Sequence, residues 1–151
     1  MIKCIYRLLH EYSERTDENG EPLMHTIELG YFSTRKKVRD IINKYKNLKG
    51  FNEHDIKCFK VKKIILMTKK LPKSVFELYH SYTDNLGYVE YQYLGAYISE
   101  KKANDKQLKL MRRNHIYREF SDGFEITEEF IDSDNTIWEL GFDKLNENQN
   151  G

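Results

Sequence analysis

Apolar and polar residues alternate at the start of the chain. Cys4, Tyr6, Leu8, His10 and Tyr12 fall on one side of an extended segment, and Ile5, Arg7, Leu9 and Glu11 on the other. This period of two predicts a strand. Asp17-Glu18-Asn19-Gly20 supplies turn chemistry, and a second strand is expected at 24–32, with Ile27, Leu29 and Tyr31 on one side. Thr34 stands where a helix N-cap belongs. Beyond it Val38, Ile41, Ile42, Tyr45 and Leu48 keep the spacing of an amphipathic helix, which Gly50 is placed to end. Residues 56–66 are rich in β-branched residues and predict a third strand. The unit reads ββαβ. A crossover helix lets strand three run parallel to strand two, with strand one between them.

The pattern then recurs. Residues 6–12 (YRLLHEY) match 76–82 (FELYHSY) at an offset of 70, pairing Tyr6 with Phe76, Leu8 with Leu78, His10 with His80 and Tyr12 with Tyr82. LGYFSTRKKV at 29–38 matches LGAYISEKKA at 94–103 at an offset of 65, and Phe59-Lys60-Val61 matches Phe124-Glu125-Ile126 at that same offset. The offset changes between the two blocks, in SERTDENGEPL against TDNLG, where a loop tolerates a change of length. The expected fold class is therefore α+β: two tandem ββαβ units, each a three-stranded mainly antiparallel sheet with one helix on one face, packed as a pseudo-two-fold pair. Unit 1 is placed at 1–68, a linker at 69–73, unit 2 at 74–142 and a disordered tail at 143–151.

The two copies differ in charge, and this changes the picture. The formal net charge of +1 looks neutral. Yet residues 34–73 carry 14 Lys/Arg against 3 Asp/Glu, and residues 119–151 carry 1 against 10. In the second helix Ile41, Ile42 and Leu48 give way to Lys106, Gln107 and Arg113; in strand three Lys60, Lys63 and Ile64 give way to Glu125, Glu128 and Glu129. Equivalent positions of opposite sign suit two units whose third strands face each other; charged protection of solvated edges is the plainer alternative. Trp138 and Phe142 are expected to cap the sheet or helix of the second unit.

The pattern Tyr-x-Leu-x-His-x-Tyr, Leu-Gly-x-Tyr/Phe-Ser, Gly-Phe, Phe-x-Ile/Val and Trp-x-x-Gly-Phe resembles a small bacterial domain of unknown function, here in tandem. It falls on Tyr6, Leu8, His10, Tyr12, Leu29, Gly30, Gly50, Phe51 and Phe59 in the first copy. In the second it falls on Leu78, His80, Tyr82, Leu94, Gly95, Ala103, Phe124, Ile126, Trp138, Gly141 and Phe142. The first copy lacks the Trp-Gly-Phe end, and the second has His115-Ile116 in place of Gly-Phe. The resemblance implies the fold and no activity.

Candidate chemistry is sparse. A histidine repeated on the apolar side of a central strand reads first as a hydrogen-bonded core residue, so His10 and His80 form a joint site only if the units face each other. Cys4 and Cys58 lie far apart, HExxH lacks its second histidine at His10, and no phosphate-cradling glycine loop or GxSxG is present. No catalytic residue, metal site or cofactor is assigned, and the chain is read as non-enzymatic. No run approaches the ~18 apolar residues of a membrane span, and the N-terminus is not a signal peptide, so a cytoplasmic protein is expected.

Two binding readings remain. The first is a protein-interaction module, immunity- or inhibitor-like, that takes a basic partner on Glu125, Glu128, Glu129, Asp132, Asp134 and Trp138; self-association as a homodimer through sheet edges belongs to the same class. The alternative is nucleic-acid binding by the basic stretch 35–73 and by Lys101, Lys102, Lys106, Lys109, Arg112 and Arg113 of the second helix, with Tyr91 and Tyr93 for stacking.

Overall fold

The computed structural model describes residues 1–16, 18–133 and 141–142. The described chain is α+β and contains two similar three-stranded sheets, each with a helix. Strands β1 (Ile2–Thr16), β2 (Pro22–Phe32) and β3 (Phe59–Met67) form the first, in the order β2-β1-β3, with helix α1 (Arg35–Tyr45) between β2 and β3. Strands β4 (Ser74–Thr83), β5 (Val89–Tyr97) and β6 (Phe124–Phe130) form the second, in the order β5-β4-β6, with α2 (Glu100–Arg113) and the short α3 (His115–Glu119) between β5 and β6. The first strand of each unit is central, as the crossover rule requires. Among the described residues no helix is long and apolar enough to cross a membrane.

Contacts divide the chain into two compact units. One is Cys4–Ile65 with the described residues from Asp132 on; the other is Leu66–Ile131 with Met1–Lys3. The first unit is therefore discontinuous in sequence.

The hairpins repeat in detail. β1 pairs with β2 through Leu8↔Gly30 and then Leu9↔Glu28, and β4 pairs with β5 through Glu77↔Ala96 and then Tyr79↔Tyr93. A bulge thus falls at the same place in both. Gly30 (φ 132°) and Gly95 (φ 120°) stand in it, in a conformation that side chains rarely adopt. The helix starts repeat too: Thr34 Oγ1 accepts from the Lys37 N–H, and Ser99 Oγ from the Lys102 N–H, each at 3.1 Å. In the first unit the core between helix and sheet is Leu8, Leu29, Phe32, Val38, Tyr45, Phe51 and Phe59.

Several local expectations shift. α1 ends at Tyr45, so Leu48 lies beyond it and Gly50 does not cap it. With φ 86°, Gly50 instead opens a single 3-10 turn at Phe51–Glu53. A further turn at Ile56–Cys58 delays β3 to Phe59. In the second unit α3, absent from the sequence pattern, follows α2 directly at Asn114. Asn114 is the last cap of one helix and the first of the next, its Oδ1 accepting from the Ile116 N–H at 2.9 Å. The proposed tail 143–151 lies outside the described residues.

Candidate functional site

Each central strand carries its histidine to the centre of an aromatic cluster on the helix side of its sheet. In the first unit Phe51 and Phe59 meet His10 edge-on, both at 4.9 Å, and Tyr12 lies at 5.7 Å. In the second Tyr117 meets His80 edge-on at 4.9 Å, with Phe124 at 4.5 Å and Tyr82 at 5.8 Å. Both histidines are buried. Their bonding differs. His80 Nε2 lies 2.8 Å from the Phe120 carbonyl oxygen; a carbonyl only accepts, so Nε2 carries a proton and donates it to this bond. His10 is fully buried with neither ring nitrogen bonded. Burial, and then the neighbouring His54, lower its pKa from 6.5 to about 4, which keeps the ring neutral at physiological pH. The hydrogen-bonded core histidine expected of both copies is thus found at His80 and not at His10.

The space beside the two histidines is used in opposite ways. In the first unit Phe142 fills it. Its ring lies 6.0 Å from His10, 5.7 Å from Tyr12 and 4.8 Å from Phe51, and its N–H donates to the Lys49 carbonyl at 2.8 Å. A Cβ on Gly50 would come within 2.0 Å of that ring, and one on Gly141 within 2.2 Å of the Lys49 oxygen. Glycine at both positions is what lets the segment approach so closely. Phe142 therefore packs in the first unit, not the second as its sequence position suggested; Trp138, its expected companion, lies outside the described residues. In the second unit the corresponding space is a cavity of about 340 Å³, lined by His80, Tyr82, Glu90, Gln92, Ile116 and Tyr117 among others.

The acidic candidates are spread over two faces. Register places Glu125 opposite Tyr79 and Glu129 opposite Val75, whereas Glu128 is opposite Phe76. Alternation then puts Glu125 and Glu129 on the face away from α2, and Glu128 on the helix side. Glu125 and Glu128 are exposed, and Glu128 accepts from the Ser74 hydroxyl at 2.7 Å. Asp132 is engaged within the first unit. It accepts from the Ser33 N–H at 2.7 Å and the Ser33 hydroxyl at 2.6 Å, and pairs with Lys37 Nζ at 2.8 Å. Asp134 and Trp138 lie outside the described residues. Phe130, two residues beyond Glu128 on the same face, is 58% exposed. Its sequence pattern does not mark it as exposed, because it continues the alternation of Phe124 and Ile126.

The basic candidates do cluster. Lys102, Lys106, Lys109 and Arg112 line a cleft of about 380 Å³ with Tyr97, Asp105 and Leu108. Lys101 pairs with Asp105 at 3.0 Å. Arg113 is exposed at the end of α2, where Arg118 Nη1 donates to the Met111 and Arg112 carbonyls at 3.0 and 3.2 Å. Tyr91 and Tyr93 are not part of this cleft. They share a face with Ser81 and Tyr79, opposite the helix, and Tyr79 and Tyr91 stack at 5.0 Å. Tyr97 takes the place intended for them. Cys4 and Cys58 are both free thiols. Comparison with family models, with curated proteins and with solved structures finds no match to this chain.

Proposed function

We propose that the protein is a non-enzymatic binding module that recognises a basic partner protein, inhibitor-like, through the outer strand β6 of its second unit. The observation that supports this is Phe130, an exposed ring on the same face of the strand as the exposed Glu128. A ring beside a carboxylate offers apolar area for affinity and negative charge for selection and steering. A cytoplasmic location belongs to this reading, as does an origin of the two units by tandem duplication, supported by their shared bulge, cap and histidine.

The test is affinity capture from a native host, RNase-treated, with the full chain and with a Phe130→Ala/Glu125→Lys/Glu128→Lys variant. A protein retained by the first and lost by the second is expected. Loss of every partner on RNase treatment, or equal capture by both, defeats the reading.

The cleft on α2 favours a second reading, a polyanion such as single-stranded nucleic acid, since four cations line one groove beside Tyr97. Filter binding of a labelled oligonucleotide should then weaken steeply with salt, and Lys106→Glu/Lys109→Glu should flatten that dependence. A homodimer through the sheet edges is read out by the protein's mass in solution.

A further inference from the structure

The two units present the same seat, filled in one and open in the other. His10 and His80, Tyr12 and Tyr82, Phe51 and Tyr117 stand in matching relation around it. In the first unit its occupant comes from far along the chain: Phe142, held by its ring contacts and one main-chain bond to Lys49. We propose that the cavity of the second unit receives an aromatic side chain, tyrosine in preference to phenylalanine, from a segment of a partner protein, as the first unit receives Phe142.

The preference for tyrosine comes from what lines the two seats. Opposite His10 on the neighbouring strand stands Ile27, and opposite Tyr12 stands His25. Opposite His80 and Tyr82 stand Gln92 and Glu90. Gln92 Oε1 already accepts from the Tyr117 hydroxyl at 2.6 Å, so the group it offers a ligand is its amide N–H. Glu90 offers a carboxylate. A phenol satisfies both, accepting from Gln92 and donating to Glu90, where a phenyl ring would leave both to water. The main-chain anchor is also partly engaged. The counterpart of Lys49 is Asn114, whose carbonyl accepts from the Arg118 N–H at 3.4 Å. Gln92 and Glu90 line the cavity on its β5 side, and the ring's polar edge is placed beside them. The incoming segment is thus held chiefly by its side chain. This seat, built from β4, β5 and α3, is separate from the β6 surface, and either can fail without the other.

The experiment uses the full-length protein and three synthetic octapeptides with the sequence of residues 136–143, carrying Tyr, Phe or Ala in place of Phe142. Binding is followed by NMR titration. The Tyr peptide is expected to shift the resonances of His80, Tyr82 and Tyr117 and to bind at least tenfold more tightly than the Ala peptide, with Phe between. The exposed substitution Gln92→Ile, which restores the first unit's residue, should reverse the order of Tyr and Phe. Shifts confined to His10 and Phe51 would mean that the peptide merely displaces the chain's own Phe142, and would overturn the proposal. So would equal binding of Ala and aromatic peptides, or an order of preference unmoved by Gln92→Ile.

Discussion

His10 has a measurable consequence at the level of one side chain. Its folded pKa is lowered to about 4, while the unfolded chain titrates near 6.5. Between those values the unfolded state binds the extra proton, so the stability of the neutral ring is complete above pH 6.5 and falls away as pH drops toward 4. At 1.36 kcal/mol per unit, roughly 2 kcal/mol should be lost between pH 7 and pH 5. Urea denaturation at the two pH values should show it, and His10→Phe should remove most of the difference. Phe142→Ala should cost about 2–4 kcal/mol by emptying the space beside the same ring. Gly50→Ala should cost at least the ~1–2 kcal/mol of a left-handed backbone with a side chain, and more if the Phe142 ring is expelled; thermal melts measure both. The sequence marked His10 and His80 as equivalents. It could not mark their difference in bonding, because the acceptor for His80 is a main-chain oxygen at Phe120, positioned only once α3 has formed.

Among the elements, the helix starts were the most legible. Thr34 and Ser99 each lend a side-chain oxygen to the N–H three residues on, and each Ala substitution should cost about 1 kcal/mol. Their measured effects should be similar, because the two caps have the same geometry. The helix ends were not legible. Gly50 suggested a stop for α1, yet its positive φ serves the approach of Phe142, a contact made from more than ninety residues away. α3 was hidden because five residues are too few to show a period. Asp132 ties a segment beyond β6 to the start of α1. Burial pushes its carboxyl up, but the bonds from Lys37 and Ser33 outweigh this and hold its pKa below the usual carboxylate value. The clasp therefore stabilises at neutral pH and is lost as the carboxylate is protonated in acid. Asp132→Asn should lower the melting temperature at pH 7 and have little effect near pH 2.

At the scale of the molecule, composition revealed where charge lies along the chain and alternation revealed strands, but neither says which charges share a face. Glu125 and Glu128 read as one cluster and point to opposite sides of a sheet, and Tyr91 and Tyr93 fall on the far side from the basic helix they seemed to serve. Lys102, Lys106, Lys109 and Arg112 were legible as a group because a helical repeat fixes their common side. The discontinuity of the first unit bears on its synthesis. A ribosome delivers β1, α1 and β3 first, and at common elongation rates the ~75 residues from Met67 to Phe142 take roughly 4–15 s more. Over that interval the nascent first unit carries an unfilled aromatic seat around His10, open to any other ring that reaches it. Its assembly waits on Phe142, a residue translated only after the whole second sheet.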